Sequence, residues 1–542
     1  MLLSGAWFEA IAATLLALLV LVTSYRPPWW FWIGTPVKKL KTARDVPGPL
    51  ALPILGTRWI FSFLGYYRLN EIHNAYKDLN RRYGALCKEE ALWNFPVISI
   101  FSRRDIETVL KRGSRYPLRP LQEVISHYRR SRRDRYTNLG LVNEQGDTWQ
   151  KLRMALTPEL MGASTVLGFF PALNVVADSF VELIRRRRTG CMVFGFEELS
   201  YRMGLESEHR RTFSPPRRWS IFRIVFSSSR RHVYADPGPA PRLPKARLQQ
   251  RTRNEIGGSG ERSPDCLAAI VKSFSIFSII SEIVEATVWE KRNDAMDESI
   301  EAVFQSILRQ KNLDMRDKKA AIVDFIAAGI HTLGNTLVFL FDLIGHNPRV
   351  QASLYEEVRS LGPPGCDLTI DDLRGAKYLR ACITECFRFV LARPRNFVRR
   401  LSPLLTAISL CRIIPTTPCI ARILDEPIDL GEYRLEPGTV VLLHTWIAGL
   451  SEENFKNASE CLPERWLNPL HPHSPLLVAP FGTGRRICPG KRFVELALQL
   501  ILAKIVREFE IVVEEQLGLQ FEFILAPKSP VLLGFRDRST GT

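Results

Sequence analysis

The sequence predicts a mainly α-helical protein with a minor β region, and three observations carry that prediction. Residues 314–346, DMRDKKAAIVDFIAAGIHTLGNTLVFLFDLIGH, form one long apolar stretch with a charged start, the length of a helix crossing a whole core. FVELALQLILAKIVREFEI (493–511) reads as a second long buried helix. Strand candidates are few and short, and no internal repeat is present.

Taken in order, the elements begin with AIAATLLALLVLVTSY (10–25), uncharged throughout and extended upstream to Met1, with Glu9 interrupting. A span needs about 20 apolar residues, so residues 1–25 are expected to form a short N-terminal membrane anchor, with a signal peptide as the alternative. Arg26, the aromatic run WWFW (29–32), Lys38, Lys39, Lys41 and Arg44 follow, the pattern of an interface whose downstream side stays cytoplasmic. The linker, 26–56, ends in DVPGPLALPILG, where prolines fix φ and remove donors, so it should be extended. The catalytic body is expected over 57–542. VISIFS (97–102) reads as a strand and DIETVLKR (105–112) as a helix; GDTWQKLRMAL (146–156) is a helix with Trp149 and Arg153 on one face. KYLRACITECFR (377–388) is helical, and EPIDLGEYRLEPGTVVLLHTW (426–446) reads as hairpin strands turning at EPG.

Composition narrows the function classes. The hydrophobic share of 46% is ample for a deep core, and 10 cysteines without a CxxC exclude a zinc array or a secreted disulfide scaffold. The net charge is +18, but residues 209–264 hold 13 Lys+Arg against 3 acids, so one segment supplies 13 − 3 = +10. A basic membrane-surface or nucleic-acid binder would therefore rest on one odd stretch, and no nucleic acid is expected as a partner.

The chemistry concentrates in PFGTGRRICPG (480–490). Cys488 is flanked by Arg485 and Arg486 and precedes a helix starting near Lys491, a setting that stabilises a thiolate. A single thiolate with no His or Cys nearby cannot build a tetrahedral zinc site, but it can be the one protein ligand to a haem iron. Taken alone, a buried inert cysteine would be the commoner outcome.

The surrounding pattern selects between these. Phe481, Gly484, Arg486, Cys488 and Gly490 match F-x-x-G-x-R-x-C-x-G, the haem loop of the cytochromes P-450. Glu385 and Arg388 resemble that family's E-x-x-R helix, Pro463-Glu-Arg-Trp466 its P-E-R-F/W turn, and Trp149 with Arg153 its W-x-x-x-R helix. Ala328-Gly329-Ile330-His331-Thr332 resembles its (A/G)-G-x-(D/E)-T stretch, with His331 standing where the family has an acid. Stretches 119–153, 196–206, 312–336, 419–426 and 489–495 further resemble the insect ecdysone 20-monooxygenases of the mitochondrial group.

The resemblance implies a haem-thiolate monooxygenase fold holding haem b (heme b), with Cys488 as the iron ligand, Phe481 and Gly490 in its loop, and Arg486, Trp149, Arg153 and Arg422 on the propionates. Glu385, Arg388 and Arg465 would form a buried structural network. Gly329, His331 and Thr332 would lie on the oxygen side, Thr332 relaying protons and His331 altering the coupling of oxygen reduction to hydroxylation. It implies insertion of one oxygen atom of O2 into a steroid, with ecdysone hydroxylated at C20. Electrons would come ultimately from NADPH through a ferredoxin-type partner or a reductase, docking at Lys377, Arg380, Lys491 and Arg492. Location is expected at a membrane, mitochondrial by resemblance or endoplasmic-reticular by the character of the anchor.

Two stretches depart from the pattern. Resemblance stops near Glu206 and resumes near Phe277, so 207–273 is expected to be foreign to the fold. Removing residues 389–412 restores the family's spacing as ECFR-IIPTTPCIAR, as an intron read as protein would. If either stretch belongs to the protein, the roof or the haem cradle is damaged, and a haem-binding pseudoenzyme without turnover is the alternative.

Overall fold

The computed structural model describes residue 14 and residues 40–210, 307–389, 419–468 and 474–538, apart from 63, 64, 122, 309, 475, 516, 522 and 523. The expected anchor at 1–25 and nearly all of the two departing stretches, 207–273 and 389–412, lie outside the described residues.

Helices dominate. They are α1 Ile72–Tyr83, α2 Arg103–Lys111, α3 Glu123–Ser131, α4 Gly140–Asn143, α5 Gly146–Met161, α6 Ala163–Gly168, α7 Phe170–Arg187, α8 Phe196–Arg210, α9 Met315–Gly345, α10 Pro348–Arg359, α11 Ile370–Gly375, α12 Lys377–Phe389, α13 Thr445–Gly449 and α14 Lys491–Glu508. Local chemistry fixes several starts. Asp314 caps α9 by accepting from the Arg316 N–H, Ser102 caps α2, and Thr369 with Asp372 forms a capping box on α11.

α9 is the spine. It is 31 residues long and apolar enough to cross a bilayer, yet most of its apolar window is buried in protein, which makes it a core helix. α8 packs along it, and α7, α12 and α14 complete the main core, where Leu337, Phe341, Leu498 and Leu502 are wholly buried. Each such side chain contributes about 1.5–3 kcal/mol of transfer free energy.

The β region is small. Strands β2 (Leu86–Glu90), β3 (Pro96–Ile100), β8 (Val440–Leu443) and β5 (Ile420–Ile423) make one sheet in the order β2-β3-β8-β5, with β3 and β8 parallel. β1 (Lys41–Thr42), β7 (Tyr433–Leu435) and β6 (Ile428–Leu430) make a second, and β4 (Met192–Phe194), β12 (Leu532–Asp537) and β9 (Phe509–Val512) a third. β10 (Leu519–Phe521) and β11 (Leu525–Pro527) pair separately.

Two expectations need correction. The chain does turn at Glu436-Pro-Gly438, with Gly438 at φ 85°, but the strands on either side enter different sheets, because β8 is taken up by β3 and β5. The final helix ends at Glu508 rather than 511: Phe509 and Ile511 are buried while Glu510 and Val512 are half-buried, a two-residue alternation that pairs with β12.

Candidate haem-thiolate site

Cys488 sits at the end of a tight loop just before α14. Its N–H donates to the Phe481 carbonyl at 2.8 Å, and the Ile487 N–H to Gly484 at 3.1 Å. Gly482 and Gly484 hold φ of 71° and 65°, a left-handed geometry that side chains rarely adopt, which is why glycine recurs here. Gly490 caps α14, whose first N–H, on Lys491, donates to the Cys488 carbonyl at 3.3 Å, so the helix N-terminus abuts the loop. Phe481 is held edge-on by Phe387 of α12 at 5.5 Å.

Arg486 is folded inward and buried. Its guanidinium lies over the Trp149 ring at 3.9 Å and donates to the carbonyls of Pro117 (3.0 Å), Leu141 (3.4 Å) and Glu144 (2.8 Å) and to Gln145 Oε1 (2.9 Å). Trp149 is thus a platform beneath that guanidinium. Arg422, on β5, donates to Thr483 O at 3.4 Å. Among the described residues Arg153 donates to the Met161 sulfur at 3.3 Å.

Sequence reasoning missed a fourth arginine, Arg119. Its Nη2 donates to the Arg486 carbonyl at 2.7 Å, and its buried Nε has no partner. Only chain closure brings it there, across 367 residues; a lone Arg-Pro pair gives no local signal.

Arg119, Arg153, Arg422 and Arg486 form one desolvated cationic cluster. Burial first, then mutual repulsion, pulls Arg422 and Arg486 down to about 9 and Arg119 to about 10; burial lowers Arg153 as well. The Cys488 sulfur opposes this in Arg119 and Arg153, so the thiolate lies within Coulombic reach of both. No carboxylate pairs with these four among the described residues. A guanidinium does not give up its proton in a protein, so the cluster calls for anionic charge that the described residues do not supply. A group with two carboxylates and one open metal position for a single thiolate fits these residues, and the haem propionates and iron are that combination.

The opposite wall is the middle of α9. Ala328 is exposed and Phe325, Gly329, Thr332 and Thr336 are partly so along one face of mid-α9, the face open to a cavity, while Ala327 and His331 are partly exposed on a neighbouring face. Thr332 Oγ1 donates to Ala328 O at 2.6 Å, leaving its lone pairs as acceptors. His331 lies about 100° round the helix from Thr332, with its ring edge-on to Tyr201 of α8 at 4.9 Å. The structure therefore puts Gly329 and Thr332 on the cavity side and turns His331 toward α8.

Behind the loop, Glu385 and Arg388 are fully buried. Arg388 donates to Glu385 Oε2 (2.9 Å) and Oε1 (2.6 Å) and to the carbonyls of Gly449, Ala458 and Glu460 (3.0, 2.8 and 3.0 Å). Arg465 joins Glu385 at 3.3 Å, and the Trp466 indole donates to it at 2.9 Å. Trp466 was not among the expected members.

Lys377, Arg380, Lys491 and Arg492 stand apart from this site, at the starts of α12 and α14. Arg380 and Arg492, with Arg374, line a surface groove of about 320 Å³ floored by Val166, Leu167 and Leu373.

A family model described as Cytochrome P450 matches residues 46–199, 269–405 and 410–535. The chain is 37% identical over 522 residues, 93% of its length and 90% of the relative's, to ecdysone 20-monooxygenase of Drosophila melanogaster. It is 25% identical, over 92% of its length and 90% of the relative's, to the mitochondrial 1,25-dihydroxyvitamin D(3) 24-hydroxylase of Rattus norvegicus. It is also 25% identical, over 92% of its length and 96% of the relative's, to the mitochondrial cytochrome P450 302a1 of Drosophila melanogaster.

Proposed function

The chain belongs to the cytochrome P450 family, a monooxygenase family that uses haem b under cysteine thiolate ligation, and on that premise we propose that it hydroxylates a steroid, ecdysone at C20, with Cys488 as the iron ligand. One observation carries the site assignment: four arginines cluster by the Cys488 loop without a carboxylate ion pair among the described residues, Arg119 and Arg153 within Coulombic reach of the sulfur. The substrate rests on the 37% identity to ecdysone 20-monooxygenase.

Each residue has a physical task. The α14 N-terminus and the Phe481–Gly490 loop hold Cys488 ionised and pointed one way. Arg119, Arg153, Arg422 and Arg486 neutralise and orient the two propionates, and Trp149 fixes Arg486 by stacking. Glu385, Arg388, Arg465 and Trp466 lock α12 to the segment before the loop. Haem, when bound, supplies the activation of O2, taking two electrons and two protons to leave one oxygen in the product and one in water. Thr332 accepts and passes protons on the cavity face of α9. His331, set against Tyr201, is a proton-carrying imidazole one residue away in place of the family's acid.

Electrons enter from an acidic ferredoxin-type partner docked over the arginine-rimmed groove, whose charge steers such an encounter. A membrane lies on another side: Leu50 and Trp93 are 68% and 77% exposed, close to exposed Ile54 and Phe95, and the apolar residues 1–25 would continue that surface. Relatives named mitochondrial support that compartment. The interruption of the family match at 200–268 supports the reading of most of 207–273 as foreign to the fold, whereas the match runs through 389–405 and breaks only at 406–409.

The test expresses the full chain and a chain lacking 389–412 with a mitochondrial-type ferredoxin, its reductase, NADPH and ecdysone, and follows product by mass spectrometry. Formation of the 20-hydroxylated steroid is expected. A thiolate-type carbon monoxide spectrum with no turnover in either chain would select a binding-only haem protein.

A further inference from the structure

Residues 117–145 form a strap with both ends on Arg486. Pro117 and Arg119 hold it from one side, and Leu141, Glu144 and Gln145 from the other, while Gln145 Nε2 closes the strap by donating to Arg119 O at 2.8 Å. The middle of the strap reaches the opposite wall. Arg129 of α3, 2% exposed, pairs through Nη2 with Asp324 of α9, 8% exposed, and also donates to Ala320 O at 3.4 Å. Asp324 stands one turn before the exposed Ala328, so the pair sits beside the cavity.

The pair is incompletely satisfied on its arginine side. Arg129 Nε and Nη1 are buried without a hydrogen-bond partner among the described residues, the guanidinium lying over the Tyr136 ring at 4.9 Å, while the Leu141 backbone assists the Asp324 carboxylate. It also demands space: a Cβ at Gly140, where φ is 79°, would lie 1.6 Å from Arg129 Nη1 and 2.5 Å from Asp324 Oδ2. Burial raises the Asp324 carboxyl against the pull of Arg129. An apolar replacement of similar volume often matches or exceeds the stability of a buried ion pair. Something other than stability accounts for its geometry, and that geometry ties the sulfur-side arginine to the oxygen-side helix through a single strap.

We propose that Arg129 and Asp324 are positioning residues that hold the strap against α9 and so set the width of the substrate side of the cavity. This rests on the haem-thiolate reading above. The pair touches neither iron nor substrate; it acts through residues 139–145 and through the face of α9 that carries Ala328 and Thr332.

The test uses the full chain loaded with haem. The variants are Asp324→Asn and the double replacement Arg129→Met with Asp324→Leu. Imidazole and 4-phenylimidazole, a small and a bulky iron ligand, are titrated by the Soret shift, and thermal midpoints are taken in parallel. Asp324→Asn, which strands the arginine, should lower the midpoint. The double variant should keep its carbon monoxide band and melt at or above the wild-type temperature. Its ratio of bulky to small azole affinity should nevertheless change about tenfold, the scale at which a pocket discriminates by a methylene or two. An unchanged ratio in the double variant overturns the proposal. So does a ratio that changes only together with a fallen midpoint, which would make the pair a structural support, or an Asp324→Asn variant that behaves as wild type. A wild-type chain that holds no thiolate-ligated haem would overturn the parent reading and this one together; a wild-type band with an unchanged ratio overturns only this one.

Discussion

Arg388→Ala isolates the network behind the haem loop. The wild-type guanidinium makes five hydrogen bonds, two to Glu385 and three to the carbonyls of Gly449, Ala458 and Glu460. Truncation leaves the Glu385 carboxylate fully buried with Arg465 at 3.3 Å as its remaining cation. Removing one partner of such a pair costs about 3–5 kcal/mol. The Gly449 and Ala458 carbonyls also lose this donor, and each buried unmet acceptor adds about 1 kcal/mol or more. The expected loss is about 5 kcal/mol, a third or more of an ordinary total of about 5–15 kcal/mol. Urea unfolding followed at the Soret band measures it, with Arg388→Lys falling between, since a lysine keeps the charge but not the five-donor fork. A loss below about 1 kcal/mol for Arg388→Ala would refute the argument that this network, rather than the apolar core alone, braces the loop.

Three other outcomes follow from the same geometry. Arg486→Gln and Arg422→Gln should each speed haem transfer to apomyoglobin about tenfold or more, since a charged hydrogen bond is worth about 1.5–3 kcal/mol; unchanged rates would remove these residues from the propionate site. Burial raises Glu89 from 4.5 to about 7, despite the Ser99 hydroxyl that donates to it. The folded state then binds the proton more tightly than the unfolded one, so this contribution is complete below about 4.5 and is lost as pH rises through about 7. Glu89→Gln should therefore flatten the stability profile over that window and be more stable than wild type at pH 8, as urea midpoints at several pH values would report. His331→Glu, which restores the family's acid, should lower the share of NADPH electrons appearing as hydrogen peroxide; an equal share would separate His331 from proton delivery.

What was legible in the sequence was local. The Cys488 loop is a contiguous pattern because its geometry is contiguous: the glycines at 482 and 484 turn the chain within a few residues of the sulfur. α9 declared itself by its long, mostly apolar run, and α12 by Glu385 and Arg388 at a one-turn spacing. The unread parts depend on closure between distant segments. Arg119 reaches its place through a hydrogen bond to a residue 367 positions away. Trp466 lay inside a quoted motif, yet its indole contact with Glu385 appears only when the 463–466 turn docks on α12. The strand at 509–512 was absorbed into the preceding helix because Phe-Glu-Ile-Val continues the apolar character while changing only its period, and four residues are too few to separate a repeat of two from one of 3.6.

The strap between Pro117 and Gln145 has a bearing on how this protein can vary. Surface loops usually absorb extra residues at small cost, but here both ends are bonded to the same guanidinium two positions from Cys488. An insertion anywhere in that stretch must either be looped out between α3 and α4 or shift the carbonyls that receive Arg486. Variation in length among natural versions should therefore be confined to the exposed turn at 132–135, and grafts from other chains should succeed only when they conserve the count on either side of it.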